Sequence, residues 1–236
     1  MINFLKTQFE KCTKSKVYRN SLPRGTDLYH DLRMFSPVSF CEIWDVGAHK
    51  GETALFFANK FQHSTIRSFE PVSSNYNSLL ENCQKRENIY TYNFALGNQI
   101  SQTEIHLQGG SVIHSLRDDL NKPSGEGSES EIIRIKTIDS IINNFKSNSI
   151  DLLKIDVEGY ELKVLEGASK SLGDKKINFI YLETGLDSRF NSIQAFIDFL
   201  HPMGFLPYAF YEQNPHWTGK QNLWYWNTLF VREELL

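Results

Sequence analysis

The stretch EIWDVGAHKGE, residues 42–52, decides how this chain is read. Ile43, Trp44 and Val46 form a short apolar run that delivers Asp45, Gly47 and Gly51 to a tight turn, and a helix-like segment follows over residues 53–61. In an open parallel sheet such a strand, turn and helix mark where a nucleotide-like ligand sits. Glycine lets the backbone come close, and the new helix presents unpaired N–H groups. The spacing Gly47-x-x-x-Gly51 is not the G-x-G-x-x-G of a pyrophosphate cradle. Asp45, ahead of the first glycine, would repel a phosphate but accept from an ammonium group. The next apolar run, residues 66–69, ends in Glu70-Pro71, where a second strand supplies a carboxylate to ribose hydroxyls. A glycine turn alone suits any strand-to-helix connection; with Glu70 in place the expected ligand is a nucleoside carrying an amino acid, and S-adenosylmethionine is the common cofactor of that description.

A length of 236 residues fits one α/β domain with a full core of its own. The formal net charge of −3 and the absence of a long basic block give no electrostatic case for a nucleic-acid partner. Cys12, Cys41 and Cys83 form no C-x-x-C pattern, so they read as thiols of a reduced cytoplasmic protein, neither a disulfide framework nor a zinc site. The N-terminus lacks the apolar core of a signal peptide, and no stretch reaches transmembrane length. Ile2, Leu5 and Phe9, with lysines between them, suit a short amphipathic helix that packs on its own domain in preference to a membrane surface. Association as a homodimer stays open.

From residue 1 to 39 the reading is one or two helices and a proline-interrupted approach to the sheet, with Tyr18, Arg19, Tyr29 and Arg33 as candidate lid residues. The core then alternates strand and helix, the pattern of a mostly parallel sheet with helices on both faces. Strands are expected over 41–46, 65–69 and 89–96, with helices over 52–61 and from a Ser73 or Ser74 cap to residue 86. Residues 103–107 and 131–138 alternate as half-buried strands around a polar stretch, predicting a β-hairpin beside the site. Thr137 or Asp139 caps a helix to residue 145. The apolar run 151–157 should be a central strand ending at Asp156, Glu158 and Gly159, with Tyr160 opening a helix. A strand over 177–184 ends in Glu183, a helix follows over 192–200, and two last apolar runs pair antiparallel.

Several of these pieces closely resemble the FkbM family of S-adenosylmethionine-dependent methyltransferases: WDVGAHKGETA (44–54), SFEP (68–71), NFALGN (93–98), KTIDS (136–140), LLKIDVEGYELKVLEGA (152–168) and YLET (181–184). The resemblance implies the class I methyltransferase (Rossmann-like) fold: a seven-stranded, mostly parallel sheet with an antiparallel last strand, a helical extension over residues 1–39 and a catalytic domain over 40–236. It also implies S-adenosylmethionine as cofactor and O-methylation of a small-molecule hydroxyl, commonly on a sugar or a secondary metabolite. Carried over by position, Asp45, Gly47, Ala48 and Gly51 form the methionine side of the cofactor site, with Thr53 opening the helix behind it. Glu70 and Pro71 lie at the ribose, and the backbone around Phe94, Ala95 and Leu96 at the adenine. His49 stands where the family usually has asparagine, which makes cofactor affinity sensitive to pH.

A sugar hydroxyl is a poor nucleophile, so a base must take its proton. The candidates are Asp156 first, then Glu158, Glu183, His114 and His49. Asp156, Glu158 and Glu183 have a second reading as ligands of Mg²⁺. Bland readings stand beside both: Glu158 as a helix cap, Glu183 as a buried partner of Lys154, and His114 as a solvated loop residue. Tyr211, His216 and Trp217 are candidate stacking groups for a sugar ring, whereas Trp224 and Trp226 read as packing. The alternatives to an O-methyltransferase are a hydride-transferring enzyme, which the glycine spacing disfavours, and a non-catalytic S-adenosylmethionine-binding module or partner subunit.

Overall fold

The structure is a computed structural model that describes residues 2–13, 18, 22–35, 39–107, 116, 129–145, 147–185, 192–215 and 223–236. Two helices, α1 (Ile2–Thr13) and α2 (Leu28–Arg33), precede the first strand, β1 (Glu42–Val46). All five residues of β1 are buried, as expected of a strand with a neighbour on each side and a helical layer on each face. Its start is fixed by Asp151, whose Oδ2 accepts from the Cys41 and Glu42 N–H groups at 2.7 and 2.9 Å.

Alternation continues through α3 (Glu52–Lys60), β2 (Thr65–Phe69), α4 (Ser73–Cys83) and β3 (Ile89–Tyr92). Three short strands follow: β4 (Ala95–Leu96), β5 (Ser101–His106) and β6 (Ser130–Lys136). The chain then makes α5 (Ile138–Ile141), β7 (Ile150–Ile155), α6 (Glu161–Glu166), α7 (Ser169–Gly173), β8 (Ile177–Gly185), α8 (Ile193–Leu200), β9 (Phe205–Pro215) and β10 (Leu223–Arg232). The main sheet has the order β3-β2-β1-β7-β8-β10-β9, and β10 runs antiparallel to both neighbours. The chain winds outward from β1 through β3, then returns to lay β7 on the other side of β1. The ends of β1 and β7 thus form the switch point at which open α/β sheets bind ligands.

Adjacent residues on one strand serve opposite faces. Trp44, Leu153, Ile180 and Phe230 face a core closed by α5 to α8, while Ile43, Leu152, Phe179 and Leu229 face one closed by α2, α3 and α4. Leu32 on α2 is fully buried in the second core. The helix α2 is therefore packed into the domain.

The expected third strand breaks in two. Asn93 Nδ2 donates to the carbonyls of Glu70 and Pro71, pulling the chain out of the main sheet after β3. β4 then pairs with β6 in a separate three-stranded sheet of order β4-β6-β5. The expected antiparallel pairing of β5 with β6 is present, and most of the intervening segment lies outside the described residues.

Capping also differs in places. α4 starts after Val72 with no side-chain cap, because Glu131 and Glu70 take the Ser73 and Val72 N–H groups instead. Thr137 caps α5, whereas Asp139 reaches across to accept from the Lys170 and Ser171 N–H groups of α7. Of the expected lid residues, Tyr29 packs its edge on Phe61 and Arg33 lies over Tyr29, Tyr18 is exposed, and Arg19 lies outside the described residues. Trp226 is buried as packing, and its Nε1 donates to Thr228. The three cysteines are free. Among the described residues no helix is long and apolar enough to cross a membrane.

The α2 segment is held by one buried carboxylate. Asp31 Oδ2 accepts from the Gly25 N–H at 2.7 Å and from the Tyr211 hydroxyl on β9 at 2.8 Å. Replacing it strands both donors in a buried setting. Asp31→Ala should therefore lower stability in urea titration by about 1–3 kcal/mol and open residues 22–33 to proteolysis; unchanged cleavage in that segment would contradict the clamp.

Candidate functional site

Three left-handed residues in five turn the chain at the end of β1: Gly47, His49 and Gly51, with φ of 80°, 48° and 93°. A Cβ on Gly47 would sit 1.8 Å from the Asp156 carbonyl oxygen, so the turn is pressed against the end of β7. Gly51 begins α3 where a Cβ would meet Leu79 Cδ1 at 2.8 Å. Only glycine satisfies both backbone and space at these two positions. The first three N–H groups of the turn are already used: Gly47 and Ala48 donate to the Phe69 carbonyl, and His49 donates to Glu70 Oε2. Spent in this way they cannot cradle a pyrophosphate.

Beneath the turn lies a row of three charges. Asp45 on β1 and Lys154 on β7 are register partners, and Lys154 Nζ stands 3.1 Å from Asp45 Oδ1 and 3.4 Å from Asp156 Oδ2. Asp45 is fully buried, and neither of its oxygens takes an aligned hydrogen bond, so the ion pair is its compensation. Burial raises the Asp45 carboxyl, with the ammonium pulling the other way. Burial also works against the Lys154 ammonium, but the charges of Asp45 and Asp156 outweigh it and raise the group above the usual lysine range. Asp156, with its side chain 46% exposed, is the solvent-facing end of the row.

Two clefts open on either side of this row. The first, of about 310 Å³, is lined by Gly47, Ala48, His49 and Thr53 from the turn and α3, by Glu70 and Pro71 after β2, and by Ala95 and Leu96 of β4. Asp156, Glu158 and Tyr160 complete it from the β7 side, and Ile105 of the small sheet walls it. Glu70 is 5% exposed; its two oxygens accept from the His49 and Val72 N–H groups at 2.9 and 3.0 Å, and burial pushes its carboxyl up to about 7. A carboxylate beside an apolar wall suits ribose hydroxyls and an adenine ring.

The second cleft, of about 460 Å³, is lined by Thr26, Asp27 and Leu28 before and at the start of α2, by Phe56 and Phe57 on α3, and by Tyr181, Tyr211, Glu212 and Asn227 on the last three strands. Glu52, Thr53, Lys154 and Asp156 line both clefts.

Most expected cofactor residues thus meet at the first cleft, with three differences. Asp45 lies buried behind the turn, and Gly51 shapes the turn from behind. Phe94 is a core residue, packed on Phe69 and Tyr92 beneath Lys136, and does not line the cleft. The helix α6 has no side-chain cap; the Glu161 carboxylate instead holds the turn before it, accepting from the Val157 and Gly159 N–H groups, while Glu158 lies in the cleft wall with φ of 54°.

Glu183 lines neither cleft; Lys154 is ion-paired to Asp45 and Asp156, and its charge is the weakest of the influences on Glu183, whose carboxyl is pushed up to about 9 by burial, followed by the charges of Asp156, Glu158 and Glu161. Tyr211 presents only its ring to the second cleft, because its hydroxyl is committed to Asp31. His114, His216 and Trp217 lie outside the described residues, as does the side chain of Trp224. Among the described residues no three His, Cys, Asp or Glu side chains converge as metal ligands, so the second reading of Asp156, Glu158 and Glu183 as Mg²⁺ ligands finds no support. The Lys154 ammonium already supplies the positive charge at Asp156.

The sequence reading missed Lys154, Ile105 and Tyr160 as site residues. Lys154 was within reach, since it sits two residues before Asp156 and so on the same face of the strand. Ile105 was not, because its sheet packs on the site by tertiary contact alone.

Residues 45–207 match the Methyltransferase FkbM domain family. The hexuronic acid methyltransferase AglP of Haloferax volcanii is 28% identical over 152 residues, 62% of this chain and 58% of that one. Methyltransferase 1 of Beauveria bassiana is 23% identical over 192 residues, 69% of this chain and 76% of that one. Among solved structures, an FkbM methyltransferase from Methylobacillus flagellatus aligns with a TM-score of 0.54 at 16% identity, covering 82% of this chain and 44% of that one. The chain therefore spans little more than half of the archaeal relative and less than half of the solved one.

Removing Lys154 leaves Asp45 charged, buried and unmatched. Lys154→Ala should cost about 3–5 kcal/mol in urea unfolding, and pairing Asp45→Asn with Lys154→Met should recover most of the loss. A single variant as stable as the parent would show that the pair carries no such constraint.

Proposed function

The chain belongs to the FkbM methyltransferase family, and from that premise we propose that it moves the methyl group of S-adenosylmethionine onto a hydroxyl oxygen of a small, sugar-like molecule. The observation that carries this reading is the wall shared by the two clefts. A donor in the first and an acceptor in the second meet at Lys154 and Asp156. S-adenosylmethionine supplies an electrophilic methyl on a sulfonium sulfur that leaves as a neutral thioether. The first cleft fits such a molecule: Glu70 faces the ribose hydroxyls, Pro71, Leu96 and Ile105 make an apolar wall for the adenine, and Asp156 and Glu158 offer negative charge to the cationic end.

On the acceptor side, Asp156 receives the hydroxyl's hydrogen bond and takes its proton as the oxygen becomes an ether. Lys154 holds that carboxylate in place from behind. The buried turn and the aromatic walls of Phe56, Tyr181 and Tyr211 align the reactants and exclude water, which an in-line displacement requires. Residues 26–28 act as cover over the acceptor, the part that the N-terminal extension plays in this scheme. A sugar ring is the favoured acceptor because aromatic rings line the second cleft and because the archaeal relative is named for a hexuronic acid.

Calorimetric titration should show S-adenosylmethionine and its demethylated product each binding near one equivalent. Asp156→Asn should keep that binding within a few-fold while turnover falls about 10²–10⁴-fold; turnover intact in this variant would remove Asp156 as the base. Loss of turnover with binding retained also separates an enzyme from a non-catalytic binding module. The ionised Glu70 carboxylate accepts more strongly from ribose hydroxyls than the protonated acid, so with its carboxyl pushed up to about 7 affinity should rise from pH 6 to pH 8. Glu70→Gln should flatten that slope, and a slope that instead disappears in His49→Asn would assign it to the histidine.

A further inference from the structure

Two tyrosines line the second cleft, and they use their hydroxyls differently. Tyr211 on β9 donates its proton to Asp31 Oδ2 at 2.8 Å and leaves only its ring to the cavity. Tyr181 on β8 packs against that ring at 5.6 Å between centroids, nearly edge to face. It is 8% exposed, and the cleft is what it is exposed to. Among the described residues no carboxylate or carbonyl oxygen takes its proton.

Strand register places that hydroxyl beside the chemistry. Tyr181 is the partner of Lys154 across β8 and β7, on the face of the sheet that carries Asp45. Burial first, then the charges of Glu212 and Asp156, hold the Tyr181 hydroxyl in its protonated form, whereas a hydrogen bond with the Asn227 side chain acts the other way. A hydrogen bond favours the phenolate only when it is donated to the oxygen. Asn227 is able to donate it, because Nδ2 carries two hydrogens and gives one to Glu212 Oε2 at 2.7 Å. The Tyr181 oxygen thus accepts from Asn227 and keeps its own proton to give. A phenol donor in a cavity wall, fixed by ring packing, is a group that orients a ligand.

Resting on the methyl-transfer reading above, we propose that the Tyr181 hydroxyl donates to an acceptor oxygen on the carbon next to the one methylated, so that the second cleft selects compounds with two neighbouring oxygens. Asp156 takes the proton of the reacting hydroxyl. Donation by Tyr181 to that same oxygen would hold electron density that must go to the methyl carbon, so the productive target is its neighbour. Asp156 and Tyr181 belong to adjacent strands and both line the cleft, with no hydrogen bond between them. Oxygens on adjoining ring carbons, about one hydrogen-bond length apart, fit between two such groups. A compound without the second oxygen leaves a buried phenol proton with no partner, which weakens its binding.

The test is calorimetric titration of the full chain, saturated with S-adenosylhomocysteine, with methyl glucoside and then with each of its monodeoxy analogues. Two analogues, altered at neighbouring carbons, should bind at least about threefold more weakly than the glucoside. In Tyr181→Phe, which keeps the ring against Tyr211, one of those losses should vanish and the other persist. The position of the persistent loss should be the one found methylated when S-adenosylmethionine is supplied. A single costly position in the parent chain, two that are not neighbours, or no binding of the glucoside up to its solubility overturns the proposal without recourse to a variant. Both losses surviving in Tyr181→Phe overturn it as well. The S-adenosylhomocysteine titration separates the two levels: no binding of that product sinks the methyl-transfer reading, whereas binding without the paired losses sinks the role of Tyr181 alone.

Discussion

The Lys154 ammonium, set between Asp45 and Asp156, is the constraint on which the site depends. Two carboxylates and an amine at the ends of two central strands are expensive to desolvate, and only close mutual pairing offsets the cost. Because Asp45 and Lys154 are register partners, the pairing also ties β1 to β7 at the level where the sheet reverses its winding. The result is a rigid floor with one negative group, Asp156, turned toward solvent.

The two clefts follow from what sits above that floor. The turn after β1 comes so close to β7 that only glycine fits at residue 47, and its N–H groups are absorbed by Phe69 and Glu70. Glu70 therefore has two tasks, fixing the turn from the neighbouring strand and facing the first cleft. The small sheet of β4, β5 and β6 closes that cleft from above, while α2 and the last strands shape the second. One wall thus serves two pockets built from different parts of the chain.

The second cleft is assembled from residues farther apart in sequence than the first. Asp31 and Tyr211 are joined by a buried hydrogen bond although 180 positions separate them. That bond brings Asp27 and Glu212 to the same cavity. Residues of the segment ahead of β1, Thr26 to Leu28, in this way line the second cleft.

The sequence by itself determined the strand-turn-helix at residues 42–52, the alternation that makes a parallel sheet, the antiparallel final pair and the carboxylates at the strand ends. These follow from local rules: side chains alternate on a strand, helices need caps, and glycine alone turns left at close quarters. Its errors were those of distance. The expected third strand is cut short, because Asn93 bonds back to Glu70 and Pro71 and redirects the chain. Glu183 reads as a site residue but lines neither cleft. Tertiary structure alone decided that Asp45 is paired and buried, that Glu161 holds the turn ahead of α6, and that two clefts share one wall. Each depends on which groups meet across the fold, and burial and charge pairing between distant residues leave no periodic trace in the chain.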